Sequence, residues 1–289
     1  MSDANPFETP RPNGTTRIQG TLRVVVAAYC LGAAASVLHL NQPDPLAAFW
    51  VSSRGLPAEQ VLPLSRLIGY GLALTGALTA LRPVNLLGMA IVIYAAAASF
   101  TGLLTPGESV SRLTPALECT RWMAPLALLL ADFWPPRIKP TLTLMLSAVS
   151  LLRLAASVTF LATGIACLVA CVDGGSLVEH AQAATQNILQ QEIDDGAARK
   201  VLAFAGGISL GMGGMLMFSS NAAVPFLASL WGALLAFTPI LAAGRSHYAE
   251  SLLRISEWGA PMVVALFHLS CVRTAPTTYL PESGTAGGK

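Results

Sequence analysis

The chain has 289 residues, 54% of them hydrophobic and only 11% charged, with a mean hydropathy of +0.61. Soluble domains are nearer a quarter charged, so this composition belongs to a polytopic membrane protein whose first partner is the lipid bilayer. A net charge of +2, with no basic cluster interleaved with aromatics, excludes a nucleic-acid partner.

A helix needs about 20 mostly apolar residues to cross the hydrocarbon core. Residues 1–21 are polar and rich in Pro, Asn and Thr, with no short apolar run ahead of a small-residue cleavage site. They read as a disordered cytoplasmic N-terminus rather than a removable signal. Leu22–Leu40 is then an uncleaved first span. Leu67–Leu81 is short and extends upstream as far as Val61, and Val84–Leu104 and Leu113–Phe133 follow. The turn Arg82-Pro83-Val84-Asn85 offers Asn85 as an N-cap. Pro135-Pro136 ends the first half, because neither residue continues a helix. A connector at 135–149 leads to Ser147–Val172; the apolar run from Thr141 reads either as one tilted helix or as a surface turn followed by a span. The polar linker that follows carries Leu177, Val178, Ala181, Ala184, Ile188 and Leu189 at near-helical spacing, so 176–193 is an amphipathic helix lying on the membrane or capping the bundle. Val201–Phe218, Ala223–Ala243 and Leu252–Val272 complete the spans. Asn221 is the N-cap of the second of these, and a disordered tail occupies 274–289. The expected fold is all-α, with about eight transmembrane helices.

The chain also repeats itself. Arg66-Leu67-Ile68-Gly69-Tyr70 matches Lys200-Val201-Leu202-Ala203-Phe204 in charge, bulk and aromaticity, and Leu22-Arg23 matches Leu152-Arg153. Glu118-Cys119-Thr120-Arg121-Trp122-Met123-Ala124-Pro125 answers Arg254-Ile255-Ser256-Glu257-Trp258-Gly259-Ala260-Pro261 with the charges exchanged. Two four-helix bundles, 22–134 and 150–273, follow. An even number of spans per unit relates them by a pseudo-two-fold axis along the membrane normal. Small residues at four-residue spacing, Gly69, Ala73 and Ala77 and then Ala203, Gly207 and Gly211, mark a packing seam or a homodimer face. The basic flank of the first span and the acidic linker at 173–199 place both termini in the cytoplasm of a multi-pass cell-membrane protein.

Charges inside spans are expensive and face the bundle or a cavity. Glu118 and Arg121 share a helix face, as do Arg254 and Glu257. The simplest arrangement pairs Glu118 with Arg121 and Glu257 with Arg254; the exchanged order also allows Glu118 to meet Arg254 and Arg121 to meet Glu257 across the pseudo-axis. These four residues are either a ligand-binding site open to the outer face or structural ion pairs near the interface. His39 and His268 fall near opposite faces and cannot ligate one iron, while a metal held by His39, His180 and His247 lacks any spaced motif, so no metal is assigned. The five cysteines, Cys30, Cys119, Cys167, Cys171 and Cys271, show no CxxC and read as small core residues. No phosphate loop, HExxH or GxSxG is present, so no catalytic residue is assigned and the reading leans away from an enzyme.

The stretch Leu151-Leu152-Arg153-Leu154 leading to Gly164 resembles the opening span of the DoxX-like family of four-helix membrane proteins, and the glycine-rich 200–217 resembles that family's second helix. The resemblance covers most of 151–272 and, more weakly, 22–133 as a tandem copy; the Lys that often follows the first-span Gly is missing. The motif carries over to Arg153 and Gly164, with Arg23 as the repeat counterpart. It implies a redox-associated or accessory membrane subunit, working beside other membrane subunits, with a quinone as the one cofactor it brings in. A transporter of a small solute or lipid between the two halves is the alternative.

Overall fold

The computed structural model describes residues 12–104, 112–132, 142–190 and 193–272, and among them every regular element is a helix. In chain order these are α1 (Pro12–Leu38), α2 (Pro45–Ser53), α3 (Val61–Leu81), α4 (Asn85–Leu104), α5 (Thr114–Leu117), α6 (Cys119–Ala131), α7 (Leu142–Asp173), α8 (Ser176–Leu189), α9 (Asp195–Phe218), α10 (Ala223–Ala243), α11 (Tyr248–Leu253) and α12 (Ile255–Val272). Among the described residues, six helices are long and apolar enough to cross a membrane: α1, α3, α4, α7, α9 and α10. The fourth span expected in the first half is broken. Glu118 leaves helical geometry (φ −98°, ψ 11°) between α5 and α6, and α6 alone has 13 residues, short for a crossing. Arg254 (φ −87°, ψ 4°) interrupts α11 and α12 in the same way.

Several boundaries differ from the expected ones, each for a local reason. α1 begins at Pro12 rather than Leu22, so the stretch expected to be disordered is helical from residue 12 on, and Ile18 is already in the core. Proline suits a first turn, whose N–H groups have no partner anyway. α7 is one helix from Leu142, absorbing the C-terminal part of the expected connector. At about 1.5 Å per residue its 32 residues exceed a 30 Å core. α8 matches the expected amphipathic helix, while α2 is an element the periodicity did not suggest. The N-cap of α10 is Ala222 rather than the expected Asn221; Asn221, one residue earlier, accepts from Ala223 N through Oδ1 at 3.0 Å. Residues 1–11, 133–141 and 273–289, which hold part of the connector and the expected tail, lie outside the described residues.

In lipid, association depends on close packing rather than on the hydrophobic effect, so small residues decide which faces meet. The main core joins Leu22, Val26 and Cys30 of α1, Ala124 and Leu128 of α6, Met145 and Leu152 of α7 and Val263 and Val264 of α12. The apolar windows of α1 and α7 are each 56% buried, whereas those of α3, α4, α9 and α10 are 22–28% buried. The first pair is therefore central and the other four helices form the rim. α1 packs on α3 and α7 on α9 through glycines. A methyl added at Gly69 would stand 3.1 Å from the Leu38 side chain, and one at Gly76 would stand 3.1 Å from Ala27 O. The corresponding contacts on α9 are Gly206 with Cys167 Cβ at 3.0 Å and Gly213 with Ser157 O at 3.0 Å. The expected seam is thus right at Gly69 and Ala73, which packs against the main core, but misplaced elsewhere. Ala77, Ala203, Gly207 and Gly211 are exposed, and an added methyl would meet nothing at Gly207 or Gly211.

Candidate functional site

The break at Glu118 is what puts charge into the bundle. Glu118 N donates to Thr114 O at 2.9 Å, and Arg121 N donates to Glu118 O at 2.8 Å, a tight turn that swings both side chains toward one place. Arg121 Nη1 then meets Glu118 Oε1 at 2.5 Å, and Arg121 Nη2 lies 3.7 Å from Glu257 Oε1. Of the expected pairings, Glu118–Arg121 and the crossed Arg121–Glu257 are present. Glu257–Arg254 is not, and Arg254 makes no ion pair within 4.0 Å among the described residues. Glu257 is 7% exposed; its contact within 4.0 Å is to the Arg121 guanidinium on α6, while Arg254 acts on it from farther away. Pro125 and Pro261 lie inside α6 and α12, four residues after Arg121 and Glu257, and so remove the helical donors to those two carbonyls. Gly232 lets α10 come up against the freed carbonyl: a methyl there would stand 2.6 Å from Glu257 O. Ser229 Oγ donates to Trp258 O at 2.9 Å beside it.

The sequence did not single out the other half of the site. A cavity of about 250 Å³ is lined by Tyr29, Ser36, Asp44, Tyr94, Glu118 and Arg121, with Leu253 closing it from α11. Asp44, 2% exposed, is the N-cap of α2; its Oδ1 accepts from Leu46 N at 3.0 Å and Ala47 N at 3.1 Å. Its Oδ2 accepts from Tyr94 Oη at 2.5 Å, and its own N–H donates to Ser65 Oγ at 2.9 Å. Ser99 Oγ donates to Glu118 Oε2 at 2.7 Å, which fixes that carboxylate from α4. The signal that could have found Asp44 is the dipeptide Asp44-Pro45, an N-cap followed by proline in the first helical position. Arg121 Nε is buried without a hydrogen-bond partner.

The remaining candidates lie apart from this cavity's lining. Arg23 reaches Asp132 at 2.5 Å, tying α1 to the end of α6. Arg153 donates to Leu216 O and Ser219 O, each at 2.5 Å, and so collects carbonyls freed at the end of α9. Gly164 sits where α7 and α9 are closest: a methyl there would be 2.8 Å from Gly206 O. All three family-motif residues are therefore engaged in helix packing. Cys30, Cys119 and Cys167 are buried, Cys171 is half-buried, and none of the four is in a disulfide. His39 Nδ1 and Tyr248 Oη are 3.1 Å apart, His247 Nδ1 lies 3.0 Å from Glu250 Oε1, and His180 Nδ1 lies 2.7 Å from Ser176 O. Each of these three histidines thus has its own partner, and no group of three metal-ligating side chains occurs among the described residues. No family model, curated protein or solved structure matches the chain.

Proposed function

We propose that the chain is an accessory membrane subunit, redox-associated as its DoxX-like resemblance implies, that binds a small molecule with a quinone-like ring in the cavity beside Arg121. Within this reading it crosses the cell membrane eight times as two four-helix halves, the fourth helix of each half being the broken pair α5–α6 or α11–α12, and both termini are cytoplasmic. Glycine contacts support the duplication. Gly69 against Val37 and Leu38 corresponds to Gly206 against Cys167 and Leu168, and Gly76 against Ala27 and Leu31 corresponds to Gly213 against Ser157 and Leu161. One offset of 130 for α1 to α7 and one of 137 for α3 to α9 generate all of these, and the first aligns Arg23 with Arg153. The approach of Arg121 to Glu257, and of Ser256 Oγ to Thr120 Oγ1 at 3.3 Å, is how equivalent residues meet at a two-fold axis.

The observation that carries the binding reading is the cavity itself. A buried guanidinium, two carboxylates and two tyrosines around about 250 Å³ exceed what a structural ion pair needs. Weighing against a transporter working between the halves, the junction is filled by Ser256–Thr120, Thr120 N–Thr159 Oγ1 and Arg121–Glu257 contacts, while the cavity lies to one side among α1, α2, α4 and α6. The test is thermal melting of the detergent-purified chain with decylubiquinone, since a molecule bound only to the folded state raises the midpoint as its concentration passes Kd. A saturable rise is expected, shifted at least about tenfold in concentration by Ala98→Leu, which fills the cavity wall without touching a charge. A rise that is absent, or identical in both proteins, overturns the quinone assignment.

A further inference from the structure

We infer that the occupant of this cavity carries, beside its ring, an ammonium group, and that the same molecule without that charge or with a negative one binds more weakly. The inference rests on the cavity being a small-molecule site and adds the sign of the charge. The charged groups that open on the cavity are two carboxylates, Asp44 and Glu118, against one guanidinium, Arg121; behind them Glu257 faces both Arg121 and Arg254. Arg121 is already shared by Glu118 at 2.5 Å and Glu257 at 3.7 Å. Asp44 has no cation within 4.0 Å among the described residues; its donors are Tyr94 Oη and the N–H groups of Leu46 and Ala47, all neutral. Neutral donors hold a carboxylate in place but leave its charge standing, and charge in a low-dielectric wall acts strongly on whatever enters.

Tyr29 is the second, independent pointer to a ligand. It is 5% exposed, lines the cavity, and its hydroxyl makes no hydrogen bond among the described residues. With Tyr94 it brings two aromatic rings to the wall, and aromatic rings attract ammonium groups. An anionic head group would meet Asp44 and Glu118 with no spare cation to receive it. A cationic one would bring the local count toward balance and leave the Glu118–Arg121–Glu257 contacts in place.

The experiment compares choline with its uncharged isostere 3,3-dimethylbutan-1-ol, at constant ionic strength, by thermal melting of the full chain in an uncharged detergent. Choline is expected to raise the midpoint saturably, with the isostere at least about tenfold weaker. Asp44→Asn keeps an N-cap acceptor for α2 and should bring choline down toward the isostere. Equal effects from the two compounds, or none from choline, overturn the inference. If decylubiquinone still acts in that case, the small-molecule reading stands; if none of the three compounds acts, both readings fall.

Discussion

Arg121 is the side chain whose loss the geometry makes costliest, because one guanidinium serves a buried carboxylate, Glu257, and a half-buried one, Glu118. Opposite charges about 4 Å apart attract by about 4 kcal/mol at an effective dielectric of 20. Removing one partner of a buried pair costs about 3–5 kcal/mol, mostly by stranding the other. Arg121→Leu strands Glu118, 2.5 Å away, and Glu257, 3.7 Å away, in the same step. These costs are coupled through shared contacts, so their sum is smaller than twice either. A loss of about 3–5 kcal/mol is expected for Arg121→Leu.

The informative measurement is the ladder of variants. Glu118→Gln with Arg121→Leu still leaves Glu257 buried without its ion-pair contact, with Arg254 acting on it only from beyond 4.0 Å. Only the triple variant that adds Glu257→Gln removes every stranded charge. Thermal midpoints in detergent should therefore rise in the order single, double, triple, with the triple closest to the parent. If the double already equals the triple, Glu257 does not depend on Arg121 and the bridge is refuted. If Arg121→Leu melts with the parent, the guanidinium is not holding a buried cluster at all.

Three further outcomes follow from the packing. Gly206→Leu and Gly213→Leu should each cost about 1–3 kcal/mol or more by overpacking α7 against α9, while Gly207→Leu and Gly211→Leu should stay within about 0.5 kcal/mol; melting midpoints would separate the two faces. Asp44→Ala should cost about 1–2 kcal/mol through the lost cap of α2, and it leaves Tyr94 Oη without its acceptor; the melting midpoint reports it, and a neutral result would remove Asp44 from the site. Ser176→Cys in a variant lacking the native cysteines should react with an impermeant maleimide from outside intact cells; reaction only after permeabilisation would invert the proposed orientation.

Elements were legible where apolarity alone decides. The six long spans lie where the hydropathy put them because a stretch of about 20 apolar residues has few other uses. α2 was hidden because nine residues are too few for periodicity, although Asp44-Pro45 marked its start. On the proposed repeat, the register read from Arg66, Tyr70, Lys200 and Phe204 differs from the one that the glycine contacts support. These four residues are all exposed, and residues on a rim face are free to resemble one another at any offset. The proposed register instead pairs Gly69 with Gly206 and Gly76 with Gly213, each a glycine that lies close to a neighbouring helix. At the site, the four span charges were visible because charge in a span is rare. Tyr29 and Tyr94 were not, since a tyrosine in an apolar run looks like any other core residue until the cavity beside it is known.

On the proposed repeat, the two halves have not kept the same contents. The offsets that superpose the glycine contacts place Thr159 opposite Tyr29, Ala166 opposite Ser36 and Trp231 opposite Tyr94, while Arg254 stands where Glu118 does. Trp231 turns its indole N–H to Ser209 Oγ at 3.0 Å and packs with Phe160 and Leu216, so the bulk that would line a cavity fills it instead. Thr159 accepts from Thr120 N at 3.2 Å and serves the junction between the halves. The second half thus supplies Glu257 and Leu253 to a site whose walls belong to the first. On that reading, one cavity is filled and one remains, and the remaining one draws a carboxylate, Glu257, from the second half. A first half expressed alone, residues 1–134, would keep the cavity's tyrosines but lose Glu257 from Arg121.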